Sequence, residues 1–171
     1  PLNENYKLVG LVTYSSEDAS SELVPSDYDQ FNPTYKFQHD RVQQAAYSMI
    51  EPAKRKALHL SIGRLMLSHS KLEELDMIIM DVVGHFNEGR TLINDQAERK
   101  KLATLNLKAG VKAKQSSAYE SALDYLLKGH EMLDSEAWQN EYELIWKLSE
   151  EIQHCLYLTG DRAGADNWTE L

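Results

Sequence analysis

The pattern of apolar and polar positions changes once along the chain, near Asp40. Before it, Lys7 to Tyr14 (KLVGLVTY) is β-branched and apolar and Thr34 to Gln38 alternates, so the two segments predict a strand pair. Between them, Ser15 to Pro33 holds Glu17, Asp18, Glu22, Asp27 and Asp29, two prolines, several serines and no basic residue, the composition of a long solvated loop. After Asp40 the period becomes helical. Val42, Ala45, Ala46, Met49 and Ile50 mark a first helix, and Ala57, Leu58, Ile62, Leu65 and Met66 the face of a second over 53–68. Leu75, Ile78, Ile79, Val82, Val83 and Phe86 mark a third, with Gly89 as a left-handed stop.

Three segments have the form of a capping box, in which a side-chain oxygen and a carboxylate three residues on each satisfy a free backbone N–H: Ser70 to Glu73, Asp95 to Glu98 and Ser117 to Glu120. They predict the starts of the third, fourth and fifth helices. The fourth turns Leu102, Leu105, Ala109 and Ala113 inward, and the fifth Tyr119, Ala122, Leu123, Leu126 and Leu127. A sixth helix over 136–159 follows from the near-heptad run Trp138, Tyr142, Ile145, Ser149, Ile152, Leu156, and Gly160-Asp161 ends it. Ala163 to Leu171 begins a seventh.

Helices four and five fit the tetratricopeptide scheme of small residues at crossings and large ones between them: Gly110 at position 8, Tyr119 at 17, Ala122 at 20, Leu126 at 24 and Gly129 at 27. A second, degenerate unit places Ala165 at position 20 and Gln153 at 8; an ordinary helical bundle is the alternative. The expected fold is mainly α, tetratricopeptide-like antiparallel helical hairpins over 51–171, preceded over 1–50 by a small β-hairpin or winged-helix remnant.

A formal charge of -9 argues against nucleic acid or an anionic membrane as partner. The single cysteine, Cys155, sits among Ile152, Leu156 and Leu158, reads as a small apolar packing residue and favours a cytoplasmic setting. No apolar run approaches the ~20 residues that span a bilayer. The opening Pro-Leu-Asn-Glu-Asn is no signal peptide and predicts an internal piece of something longer. The chain has no Gly-rich phosphate loop, no G-x-S-x-G and no H-E-x-x-H, and its six histidines are scattered, so neither catalysis nor a metal site is expected of it. The pairs Glu73-Glu74 and Glu150-Glu151 point in different directions on a helix and read as solvated faces.

The run FQHDRVQQAAYSMI, followed by ALHLSIGRLML, resembles the segment after the predicted P-loop ATPase domain in multidomain bacterial sensor histidine kinases and Ser/Thr kinases of the signal-transduction ATPase class. The resemblance covers about Tyr35 to the end, through His85-Phe-Asn, Leu107 to Gly110 and Ala118 to Leu126; residues 1–34 depart from it. It implies a non-catalytic relay and protein-interaction region, coupling nucleotide state to kinase output, with other domains of the same polypeptide or a protein partner on its helices. It also implies a nucleotide-sensing role for His39 and Asp40 beside an upstream ATPase, with ATP or ADP and Mg belonging to the full-length protein and no cofactor to this segment. An imidazole N–H suits a phosphate oxygen, but Asp40 can equally cap the helix while His39 packs at the strand end. Two further readings stay open: a free-standing helical-repeat adaptor for peptides, and a segment that completes a nucleotide site in trans to a P-loop domain.

Overall fold

A computed structural model of the chain describes residues 12–14, 35–37 and 40–168. They fall in two compact units, Pro1–Glu51 and Pro52–Leu171. In the first, β1 (Val12–Tyr14) pairs antiparallel with β2 (Tyr35–Phe37), Val12 opposite Phe37, and α1 (Asp40–Ser48) follows. The predicted loop between the strands lies outside the described residues. Met49, expected on the buried face of α1, lies past its end and is exposed.

The second unit is all-helical: α2 (Pro52–His69), α3 (Leu72–Gly89), a single 3-10 turn (Arg90–Leu92), α4 (Gln96–Gln115), α5 (Tyr119–Glu131), the short α6 (Ala137–Asn140), α7 (Tyr142–Thr159) and α8 (Arg162–Trp168). Pro52 opens α2, where its missing N–H and fixed φ cost nothing. Successive helices form antiparallel hairpins, and glycine decides where they cross. In α4/α5 a Cβ on Gly110 would lie 2.6 Å from Leu126 Cγ, and one on Gly129 would lie 2.9 Å from Asn106 Cβ. In α2/α3 a Cβ on Gly63 would meet the Phe86 ring at 2.8 Å, and one on Gly89 would meet Leu60 Cβ and the Lys56 carbonyl at 2.7 Å. The second helices of the two hairpins therefore carry the same spacing, Val82-Phe86-Gly89 and Ala122-Leu126-Gly129.

This geometry corrects several expectations. The buried face of α2 is Leu60 and Gly63, with Met66 and Leu67 packed on the core; Leu58 and Leu65 are exposed, because the close approach follows the glycine and not the count of apolar letters. Gly89 has φ -99 and is no left-handed stop; it is there for proximity, and the chain runs on into the 3-10 turn. Glu74, not Glu73, reaches back to the Lys71 N–H, while the Ser70 hydroxyl donates to Met66 O at 2.6 Å. Asp95 caps α4 by accepting the Glu98 N–H at 2.8 Å. Ser117 caps nothing: it turns the chain at φ 61, and α5 starts at Tyr119. The predicted sixth helix breaks at Glu141 (φ -133, ψ 36) into α6 and α7, whose buried positions are Ile145, Leu148, Ile152 and Cys155. Gly160 ends α7 in the left-handed conformation, as read from the sequence.

One core runs through this unit from Leu60 to Cys155, joined by a smaller cluster of Ile79, Val83, Leu105 and Ala109 between α3 and α4. Within the core, Asn87 and Asn106 exchange two amide hydrogen bonds at 2.9 and 3.0 Å.

Candidate functional site

Asp40 is the first residue of α1; His39 and the Asp40 side chain lie outside the described residues, so their nucleotide-sensing role rests on the sequence alone. The second unit offers a different candidate, built around α4.

Helix α4 carries Arg99, Lys100, Lys101, Lys108, Lys112 and Lys114 against one acid, Glu98, in a chain whose overall balance is negative. Its apolar side, Leu102, Ala103, Leu105, Ala109 and Ala113, is buried, so the charged side chains leave at the flanks and reach its neighbours. Arg64 on α2 grips Glu98 with two hydrogen bonds of 2.7 Å. That contact holds the Glu98 carboxyl below the usual carboxylate range and raises the guanidinium further. Lys100 pairs with Glu141 at 2.7 Å, Lys114 with Glu151 on α7, and Lys112 donates to the Asp76 carbonyl on α3. The Arg99 guanidinium donates to Met132 O at 2.9 Å at the end of α5. Exposed pairs of this kind contribute little each to stability, about 0–1 kcal/mol, but together they fix where α4 stands against every helix around it.

Between α4 and α7 lies an open groove of about 780 Å³, lined by Lys100, Thr104 and Leu107 on one wall and Tyr142, Trp146 and Lys147 on the other. Tyr142 and Trp146 are 54% and 53% exposed, and their rings stack at 6.0 Å with 21° between planes; Trp138 continues the row at 6.1 Å from Tyr142. The near-heptad spacing predicts one long helix through Trp138 and Tyr142; the break at Glu141 leaves Tyr142 exposed and Trp138 half-buried. Exposed aromatics of this size are enriched at protein-binding surfaces, whereas the lysines beside them are not. A smaller groove of about 340 Å³ between α2 and α4 adjoins Arg64, Leu67, Glu98 and Lys101.

The other titratable groups do not converge. Burial lifts the Cys155 thiol above its ordinary range, which makes it a poor nucleophile. His59 on α2 and His85 on α3 meet at 2.9 Å through their Nδ1 atoms, and burial, then the neighbouring His59, depress His85. Among the described residues no three His, Cys, Asp or Glu side chains are grouped to hold a metal ion, and no helix is long and apolar enough to cross a membrane.

No family model and no solved structure matches the chain. Among curated proteins it is similar to the hybrid signal transduction histidine kinase G of Dictyostelium discoideum, 31% identical over 150 residues, covering 78% of this chain. The chain spans about 4% of the length of that relative. The sequence reading frames the resemblance on bacterial sensor kinases, and this relative comes from another kind of organism. The similarity indicates a signal-transduction context for the chain.

Proposed function

We propose that the chain is a non-catalytic interaction and relay region of a larger signal-transduction ATPase or sensor kinase. The observation that carries this reading is the 31% identity to a hybrid signal transduction histidine kinase along most of a chain with no catalytic motif of its own. Its helices are read as tetratricopeptide-like. Ala122, Leu126 and Gly129 have the same spacing as Val82, Phe86 and Gly89 in the hairpin before, and Gly110 and Gly63 each mark a close approach within their own hairpin, which supports stacked repeats over an unrelated bundle, although Gly63 does not fall at the repeat position of Gly110. Such stacks bind through grooves between their first helices, and the α4/α7 groove would receive another domain of the same polypeptide or a protein partner.

The winged-helix remnant and its His39-Asp40 pair would couple this region to nucleotide bound by an upstream P-loop domain. The test uses the full-length protein: ADP and ATP affinities for the wild type and for His39→Ala, with circular dichroism to verify folding. A selective loss of ADP affinity of roughly tenfold, the equivalent of one charge-assisted hydrogen bond, is expected. Tight binding unchanged by the substitution returns His39 to the strand end as a packing residue and Asp40 to a helix cap. Absence of nucleotide binding supports the free-standing adaptor.

A further inference from the structure

The sequence contains three tryptophans, and all three meet in one place. Trp138 of α6, Trp146 of α7 and Trp168 of α8 line a cavity of about 240 Å³ on the side of α7 that also presents Glu150, Gln153 and His154. Three helices, joined by the break at Glu141 and the left-handed turn at Gly160, converge to place these rings.

Two features of this cavity narrow what it accepts. First, three of its lining residues are indoles, and the Tyr142 ring stacks on one of them, Trp146. The face of an indole carries negative quadrupole density and attracts a cation held within about 6 Å of the ring centre, more strongly than phenol or benzene rings do. Second, the cavity has a carboxylate, Glu150, and no lysine or arginine among its lining residues. Arg162, the nearest arginine in sequence to Trp168, is engaged elsewhere, 5.9 Å over the Tyr157 ring. His130 meets the Trp168 ring at a steep angle, with 5.2 Å between ring centres.

We infer that this cavity is an aromatic cage for a delocalised or alkylated cation, a quaternary ammonium or guanidinium group. Trp138, Trp146 and Trp168 line the site of the cation and Glu150 balances its charge. A purely apolar occupant would leave the carboxylate unanswered.

Because the cage holds every tryptophan of the chain, intrinsic fluorescence reads it directly. Choline, arginine amide and 3,3-dimethylbutan-1-ol, the neutral carbon analogue of choline, are titrated against the 171-residue protein at constant ionic strength. A saturable, single-site change with choline or arginine amide is expected, roughly tenfold weaker in Glu150→Gln and lost in Trp146→Leu. Both positions are exposed, so circular dichroism of the two variants should match the wild type. Preference for choline identifies a quaternary ammonium ligand, and preference for arginine amide a guanidinium from a peptide. Equal affinity for the neutral analogue would make the cavity merely apolar and overturn the inference. So would the absence of a saturable change with either cation, which would leave the tryptophans as packing groups.

Discussion

At the scale of single residues, glycine does two opposite things in neighbouring helices. A Cβ built on Gly110 would lie 2.6 Å from Leu126 Cγ and 3.2 Å from the Ala122 carbonyl oxygen, so a methyl group there must push the two helices apart. Gly84, in the interior of α3, has nothing within 4 Å of where its Cβ would stand. Gly110→Ala should therefore destabilise by about 1–3 kcal/mol, the usual cost of overpacking. Gly84→Ala should stabilise by about 0.5–1 kcal/mol, because the folded helix gains a better former and the unfolded chain loses freedom. Urea denaturation of both variants checks the pair. Two destabilised proteins would mean that the helices do not cross as described. The contrast was only half legible in the sequence. Gly110 can be read because a repeat pattern asks for a small residue there; Gly63 goes unread because a hydrophobic stripe gives glycine no weight, and Gly89 reads as a left-handed stop, although both mark where α2 touches α3.

At the scale of elements, the α3/α4 crossing rests on a polar pair inside apolar surroundings. Asn87 and Asn106 are 5% and 0% exposed, and each amide donates to the other's carbonyl oxygen. Asn106 also donates to Leu102 O. The pair can close in only one register, so it selects the alignment of the two hairpins where leucines alone would allow sliding. Asn106→Leu should cost about 1–3 kcal/mol, since it strands the buried amide of Asn87. The double variant Asn87→Leu/Asn106→Leu should recover part of that loss, and a double-mutant cycle measures the coupling. Additive losses would show that the two amides do not depend on one another. Sequence patterning found the helices and most of their inward faces, because Ile79, Val82, Val83, Leu102 and Ala109 recur at helical spacing. It could not find this pair: a polar letter on an apolar face reads as a flaw in the stripe until its partner across the crossing is known. The same limit applies at Glu141, where nothing in the composition announces a break, and the uninterrupted stretch from 136 to 159 reads as one helix although the chain kinks there.

At the scale of the whole molecule, the acidic chain is organised around a basic helix. The cations of α4 are visible in the sequence, but their meaning is not, since charge runs usually mark a solvated face; here four of them reach Glu141, Glu151, the Asp76 carbonyl and the Met132 carbonyl on neighbouring elements. The pH response follows from histidines in place of these pairs. His85 and His130 are both depressed by burial, His85 also by His59, with Asp81 and Glu131 opposing in turn. A group whose folded pKa lies below its unfolded value of 6.5 binds its proton more readily when the chain is unfolded. Stability should thus be level above about pH 6.5 and fall as the pH drops below it. Thermal denaturation between pH 8 and pH 5 measures this, and His85→Gln should flatten the slope. A midpoint that rose on acidification would reverse the assignment. The candidate groove and cage were the least legible part of the molecule. Their aromatics come from three separate helices, and each one alone reads as part of a core.

Cys155 gives the molecule an internal clock. It is the sole thiol of the sequence, and it is fully enclosed where α7 meets the core. A disulfide reagent can reach it only when α7 lifts, so the modification rate counts excursions that equilibrium spectroscopy averages away. If a ligand in the groove or the cage clasps α7 to its neighbours, the clock slows in proportion to occupancy, and the unmodified protein carries its own gauge of engagement.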